Sequence, residues 1–114
     1  MASSQKVDPI ALERNGERLT FILRGSEEIL ASLPTNYDEL LAARLKPILS
    51  EPGELRAEID LGNLPAINSR QLGALLALQK VLRTRFAKVT VRGASDAVRQ
   101  VFRITRAEKF FEMI

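Results

Sequence analysis

The chain has 114 residues, which suits one domain and is long enough to bury a core. Hydrophobic residues make up 46%, charged residues 27% and the formal net charge is +3, which indicates neither a disordered chain nor a strongly basic nucleic-acid binder. With no cysteine and no histidine, disulfides and a Ser-His-Asp triad are excluded, and zinc has none of its preferred ligands.

The first residues give no sign of export. Residues 1–7 are polar, lack the apolar stretch of a secretory signal, and are expected to form a flexible tail before a domain at residues 8–114. No apolar run approaches the roughly 20 residues that a spanning helix needs. The sequence therefore predicts a cytoplasmic protein without membrane insertion.

The chain begins with a pattern typical of a β-hairpin. Asn15-Gly16 separates two short apolar segments, and both residues tolerate the positive φ angles of a tight turn. Alternating apolar residues then predict a strand that ends at Gly25. Residues 26–34 give no clear pattern: Ile29, Leu30 and Leu33 fit either a turn of helix or a covered loop. Asn36 is next expected to cap a helix whose apolar stripe includes Leu40. Pro47 is expected to kink or terminate this helix.

The second half alternates between strand and helix patterns. The predicted elements are a strand at 54–61, a helix at 69–86, a strand at 88–91, a helix opened by Ser95 with Val98, Val101, Phe102 and Ile104 facing inward, and a closing strand in K-F-F-E-M-I. The order β-β-α-β-α-β-α-(β) predicts an α/β fold: one domain with a mixed sheet of about four to five strands and helices packed on it.

One segment resembles a known family. Residues 58–76 read E-I-D-L-G-N-L-P-A-I-N-S-R-Q-L-G-A-L-L, and the segment from Val89 reads V-T-V-R-G-A-S-D-A-V-R-Q-V-F. Both are similar to the STAS domain, named for sulfate transporters and anti-sigma factor antagonists, in which D-S-S-G-L-G-A-L opens a helix. Aligned on Leu72-Gly73, only Ser69 remains of the D-S-S-G motif, because Asn68, Arg70 and Gln71 depart from it.

The resemblance implies a regulatory protein-binding module and no enzyme activity. An anti-sigma factor antagonist would bind a kinase-like anti-sigma factor, and Ser69 lies where family members are phosphorylated by that serine kinase, with a phosphatase as a further partner. The implied partner surface comprises Asn68, Ser69, Arg70 and Gln71. The small residues Gly73 and Ala77, spaced one turn apart on the same helix, are expected to extend it. The resemblance implies a protein of signalling and transcription regulation. Because the chain has no histidine, no cysteine and no dense basic face, we expect no metal, no cofactor and no nucleic acid to be bound.

Several alternatives stay open from sequence alone. Ser69 is suited to be the N-cap of its helix as well as a phosphorylation site. Gly73 and Ala77 allow either a partner helix or tight packing inside the domain to approach closely. The protein is alternatively a non-phosphorylated STAS scaffold, a subunit of a signalling complex or of a membrane transporter. A small enzyme or nucleotide-binding domain is disfavoured, because no Gly-rich phosphate loop is present.

Other polar residues have simpler interpretations. Asp60 and Asn63 follow a strand, where ligand groups gather in α/β sheets, but turn formation is the preferred interpretation. The residues Arg99, Arg103 and Arg106 are spaced as a basic stripe on a helix and are expected to form a solvated face.

Overall fold

A computed structural model of the protein describes residues 8–24 and 27–114. The predicted flexible tail at residues 1–7 and the predicted strand end at Gly25 lie outside these ranges. Everything below refers to the described residues.

The chain enters its sheet through a hairpin. Strand β1 (Ile10–Asn15) pairs antiparallel with strand β2 (Arg18–Leu23), and Asn15 lies opposite Arg18. The predicted hairpin is present, but its turn is Gly16-Glu17, so the assignment of Asn15 to the turn is wrong. Of the two turn residues, only Gly16 has a positive φ, 64°, as expected for a two-residue turn that needs glycine at its first central position.

The other three strands extend the sheet in sequence order. β3 (Arg56–Asp60), β4 (Thr90–Arg92) and β5 (Glu112–Met113) run parallel to β2, giving a five-stranded mixed sheet in the order β1-β2-β3-β4-β5. The predicted α/β class and the closing strand are confirmed. Because each crossover moves to the next strand in the same direction, right-handed connections place the helices on one face.

Four helices form that layer. They are α1 (Glu27–Ala31), α2 (Tyr37–Leu49), α3 (Ser69–Leu82) and α4 (Asp96–Ile104), followed by a 3₁₀ helix (Ala107–Phe110). Helix α1 lies in the segment that showed no pattern, and α2 continues two residues beyond Pro47. Helix α3 ends at Leu82, earlier than the predicted Phe86, because the backbone tightens into turns after Leu82.

The two faces of the sheet differ in chemistry. The face under the helices carries Leu19, Phe21, Ile59 and Val91, which are fully buried in one core with the α3 residue Leu75. The opposite face carries charged and polar residues that all retain some exposure: Arg18, Thr20, Arg56, Glu58, Asp60, Thr90 and Arg92. This alternation is the period-2 pattern of a sheet that is covered on one side.

Three details of the predicted helices are wrong. Leu40 is 50% exposed and does not belong to the buried stripe of α2, which consists of Tyr37, Leu41 and Leu45. Ile104 is 71% exposed at the end of α4 and does not face inward. Asn36 precedes α2 but its side chain makes no capping hydrogen bond.

Candidate functional site

The first turn of α3 is held by a reciprocal cap. Asn68 has extended backbone angles (φ −107°, ψ 177°), and its Oδ1 accepts a hydrogen bond from the backbone N–H of Gln71 at 2.8 Å. The Gln71 side chain accepts in return from the backbone N–H of Asn68 at 2.9 Å. These bonds form a capping box, which satisfies two backbone donors at a helix start.

Ser69 is not the N-cap of α3. The interpretation of Ser69 as a cap is wrong because Asn68, an equally good capping residue, takes that position and finds Gln71 three residues on. Ser69 occupies the first helical position instead. Its side chain is exposed, and within the described residues its hydroxyl makes no hydrogen bond.

The surroundings of Ser69 carry no negative side chain from its own helix. The first turn of α3 contains no acidic residue, so its own side chains do not compensate the positive end of the helix dipole. Arg70 follows directly, is exposed, and forms no ion pair with any described residue. The helix start therefore presents a hydroxyl and a positive potential together.

An apolar groove runs along α3 from this turn. The groove has a volume of about 470 Å³ and lies between α3 and the α1–α2 segment. Arg70, Gly73, Leu76 and Ala77 line it from α3, while Leu30, Leu33, Pro34 and Tyr37 line it from the other side. The sequence-predicted residues Arg70, Gly73 and Ala77 thus meet at one surface, and Asn68 and Gln71 lie at its end in the cap.

Gly73 opens this groove. It is exposed, and a Cβ atom added there would meet no atom within 4 Å apart from its chain neighbours and the backbone of its own helix. The alternative that Gly73 packs tightly inside the domain is therefore wrong. Ala77, one turn further on, is half-buried in the wall of the groove. Small side chains at these two positions keep the surface of α3 low, which allows close approach by another element.

The far end of the groove is closed by an ion pair. Lys80 Nζ lies 2.8 Å from Asp38 Oδ2, which joins α3 to the start of α2. The hydrogen bond from Lys80 lowers the pKa of Asp38, and the same bond raises the pKa of Lys80. Nearby, burial and a 2.9 Å hydrogen bond to Asp8 raise the pKa of the Tyr37 hydroxyl, which stays neutral.

The other predicted polar positions have structural roles. Asp60 Oδ1 accepts from the backbone N–H of Gly62 at 2.8 Å and Oδ2 pairs with Arg92 at 3.0 Å, so its interpretation as a turn residue is confirmed. Asn63 is exposed beside it. The residues Arg99, Arg103 and Arg106 do not form one helical stripe, because α4 ends at Ile104 and Arg106 has a left-handed φ of 62°.

The sequence interpretation missed the second wall of the groove. Leu30 and Leu33 come from residues 26–34, which lack a clear sequence pattern. The spacing of Ile29, Leu30 and Leu33 was compatible with a helical turn, but nothing in it indicated that this turn would face α3.

Comparison with models of known protein families found no match, and comparison with curated proteins found no significant match. In the described ranges, no helix has both the length and the apolar content to cross a bilayer. Among the same residues, no group of three or more carboxylates is arranged as a metal site.

Proposed function

We propose that the protein is a cytoplasmic regulatory module of the STAS type that binds a kinase-like anti-sigma factor and is released by phosphorylation of Ser69. Its partner surface consists of the first turn of α3 and the groove beside it, and comprises Asn68, Ser69, Arg70, Gln71, Gly73 and Ala77. The protein acts by binding and catalyses no reaction.

The observation that carries this proposal is the free hydroxyl of Ser69. The hydroxyl oxygen of a serine that caps a helix accepts a hydrogen bond from a backbone N–H. At α3 the side chains of Asn68 and Gln71 accept the backbone N–H bonds instead. Ser69 is therefore exposed and available to a kinase at no cost to the helix. It also adjoins the groove residues Arg70 and Gly73, where a docked partner would cover it.

The physics of the first turn suits a reversible charge switch. A phosphate on Ser69 would add about −1.5 to −2 charges at pH 7. The dipole of α3 and the absence of acidic residues in its first turn favour that charge, so the folded domain tolerates it. A partner that presents carboxylates to Arg70 would instead meet repulsion and new bulk, and the complex would dissociate.

A second candidate is the non-phosphorylated STAS scaffold. It is favoured by the departures from the family motif, because Asn68 and Gln71 are used for the cap and Arg70 replaces a small residue at the surface. In that case the groove binds its partner permanently and Ser69 has no regulatory role.

Binding measurements separate the two candidates. A purified kinase-like anti-sigma factor is titrated with the wild type and with the Ser69→Ala and Ser69→Asp variants, and the dissociation constants are compared. We expect at least tenfold weaker binding for Ser69→Asp and little change for Ser69→Ala. Equal affinity for all three proteins would favour the scaffold, and no binding by any of them would contradict the proposed partner.

Ser50 provides a matched control. It is an exposed serine at the C-terminal end of α2, and α3 extends about 21 Å between its ends at 1.5 Å per residue. Arg85, just beyond α3, contacts the backbone of Leu49 and Glu51, which places Ser50 near the opposite end of α3 from Ser69. A Ser50→Asp variant should bind the partner like the wild type. A loss of affinity seen only in Ser69→Asp would then be caused by the position of the charge and not by the added charge alone.

A further inference from the structure

Gly73 lies in the middle of α3 at a position where the domain itself does not require glycine. Within the described residues, the glycines with positive φ are Gly16, Gly53 and Gly93, so Gly73 is not needed for a left-handed backbone. No other element packs against its Cα, because an added Cβ would meet only its own helix and chain neighbours within 4 Å. Glycine inside a helix lowers stability relative to alanine. What Gly73 does provide is an open groove beside α3.

The groove leaves apolar surface exposed in the described part of the chain. Leu76 from α3 and Leu33 from the opposite wall are half-buried there, and Pro34 is exposed. Between Arg70 and Lys80, which line its two ends, α3 advances about 15 Å at 1.5 Å per residue. The groove is therefore long enough for about three turns of a second helix.

The groove favours a partner segment whose own backbone is already hydrogen-bonded. The backbone groups in the middle of α3 bond within that helix. In the opposite wall, the Tyr37 hydroxyl donates to Asp8 and is therefore occupied as well. An extended peptide would bury unpaired backbone groups against such walls, which is unfavourable. A helix satisfies its own backbone groups and so fits this groove better.

The charges of the groove favour an acidic partner. Its lining contains two cations, Arg70 and Lys80, and one carboxylate, Asp38. Asp38 accepts a hydrogen bond from Lys80 at 2.8 Å, whereas Arg70 forms no ion pair with any described residue. A carboxylate brought to this end of the groove would pair with Arg70 and lie near the positive end of the α3 dipole.

We propose that the groove binds an amphipathic α-helix of the partner, antiparallel to α3, with an acidic residue near its C-terminal end that pairs with Arg70. A helix that binds in a groove presents apolar residues at spacings of 3 and 4 along one face. Gly73 and Ala77 allow it to approach α3 closely. The inference rests on the function proposed above, because it names the element by which the partner docks, and a phosphate on Ser69 would repel the acidic residue of that helix.

The probe is a synthetic helical peptide of alanine and glutamine with three leucines on one face, spaced by 4 and 3 residues. One glutamate follows 4 residues further toward the C-terminus, and one lysine lies on the opposite face. The full chain is titrated with this peptide and followed by NMR. We expect saturable shifts at Leu33, Arg70, Gly73 and Ala77. A peptide of the same composition with its leucines distributed around the helix should give no saturable shifts.

Gly73→Leu tests the place of binding. The leucine side chain fills the groove, so peptide binding should weaken at least tenfold. The variant should melt at or above the temperature of the wild type, because it removes a glycine from the helix and its side chain starts in open space. Unchanged peptide affinity in Gly73→Leu, or equal binding of the two peptides, would overturn the inference.

A charge exchange tests the role of Arg70. Arg70→Glu should weaken peptide binding at least fivefold, and replacement of the peptide glutamate by lysine should restore it. Arg103→Glu makes the same change at an exposed arginine on α4 and should bind the original peptide like the wild type. An equal loss in Arg70→Glu and Arg103→Glu would mean attraction to overall charge only and would contradict the pairing.

The same variants separate this inference from the proposed function. If a kinase-like anti-sigma factor binds the wild type and Gly73→Leu equally, the groove is not the docking site, and the inference fails while the proposed function stands. If the peptide binds as expected but the anti-sigma factor does not bind at all, the proposed partner fails while the helix-binding groove stands. Dimerisation of the chain that Gly73→Leu abolishes would identify a second copy as the occupant and would overturn the inference.

Discussion

Two helices of this domain begin with a serine in or near the cap, and the two serines are used differently. At α4, Ser95 is the N-cap: its Oγ accepts from the backbone N–H of Val98 and lies 3.2 Å from the carbonyl oxygen of Pro65, to which it donates. At α3, Asn68 is the N-cap, and Ser69 follows with a hydroxyl that bonds to none of the residues the structure describes. Whether a serine at a helix start caps the helix or keeps its hydroxyl accessible for modification thus depends on the residue that precedes it.

The largest difference between the two serines should appear on truncation of Ser95. Ser95→Ala removes the cap of α4 and the bond to Pro65, and should lower the free energy of unfolding by about 1–2 kcal/mol. Urea denaturation measures this directly. A change as small as that of Ser69→Ala, which we expect to stay within about 0.5 kcal/mol, would remove the distinction between the two positions.

Truncation of the α3 cap should have the next largest effect. Asn68→Ala removes the side-chain bond to Gln71 and should cost about 1 kcal/mol in the free energy of unfolding. Asn68→Asp keeps the accepting oxygen and is the matched control, with stability close to that of the wild type. Wild-type stability in Asn68→Ala would contradict the assignment of the Asn68 side chain as the cap that stabilises the start of α3.

A negative charge should have opposite effects at the two serines. Ser69→Asp places a carboxylate at an uncompensated helix start and should raise the free energy of unfolding by about 0.3–1 kcal/mol. Ser95→Asp still caps α4 but cannot donate to Pro65, so it should lower stability. Denaturation of both variants at pH 7 checks the signs, and destabilisation by Ser69→Asp would contradict the proposed tolerance of phosphate.

The smallest expected effect concerns the far end of the groove. The pKa of Asp38 is lowered by Lys80, so this pair stabilises the domain above the pKa that Asp38 has when unfolded, and the contribution disappears as the pH falls through the lower folded pKa. Asp38→Asn should therefore flatten the acid limb of the stability curve slightly. An unchanged curve would mean that the pair does not hold α2 against α3.

Most of the fold could be predicted from the sequence, but the groove could not. The hairpin and the alternating strands follow from local patterns, and Ser95 was recognised as a helix start because no better cap precedes it. For α1 the sequence leaves a helical turn and a covered loop open, because five residues carry little helical signal of their own and depend on packing. The groove was missed because its walls, near Leu30 and near Gly73, are about forty residues apart and meet only in the folded chain.

The interpretation of Ser69 as the N-cap of α3 was wrong, and the sequence itself contained the signal for the correct cap. Asn68 and Gln71 have the spacing of a capping box, and asparagine caps helices as well as serine does. Recognition of that pair would have placed Ser69 one residue inside the helix. The resemblance to a family motif drew attention to the serine and away from the residue before it.

The central claim is that Ser69, and not Ser95, is the regulated serine. The protein is incubated with a kinase-like anti-sigma factor and magnesium ATP, and the phosphorylated residue is mapped by mass spectrometry. We predict phosphate on Ser69 and none on Ser95, with labelling abolished in Ser69→Ala. Phosphate on another residue while Ser69 stays unmodified would contradict the account.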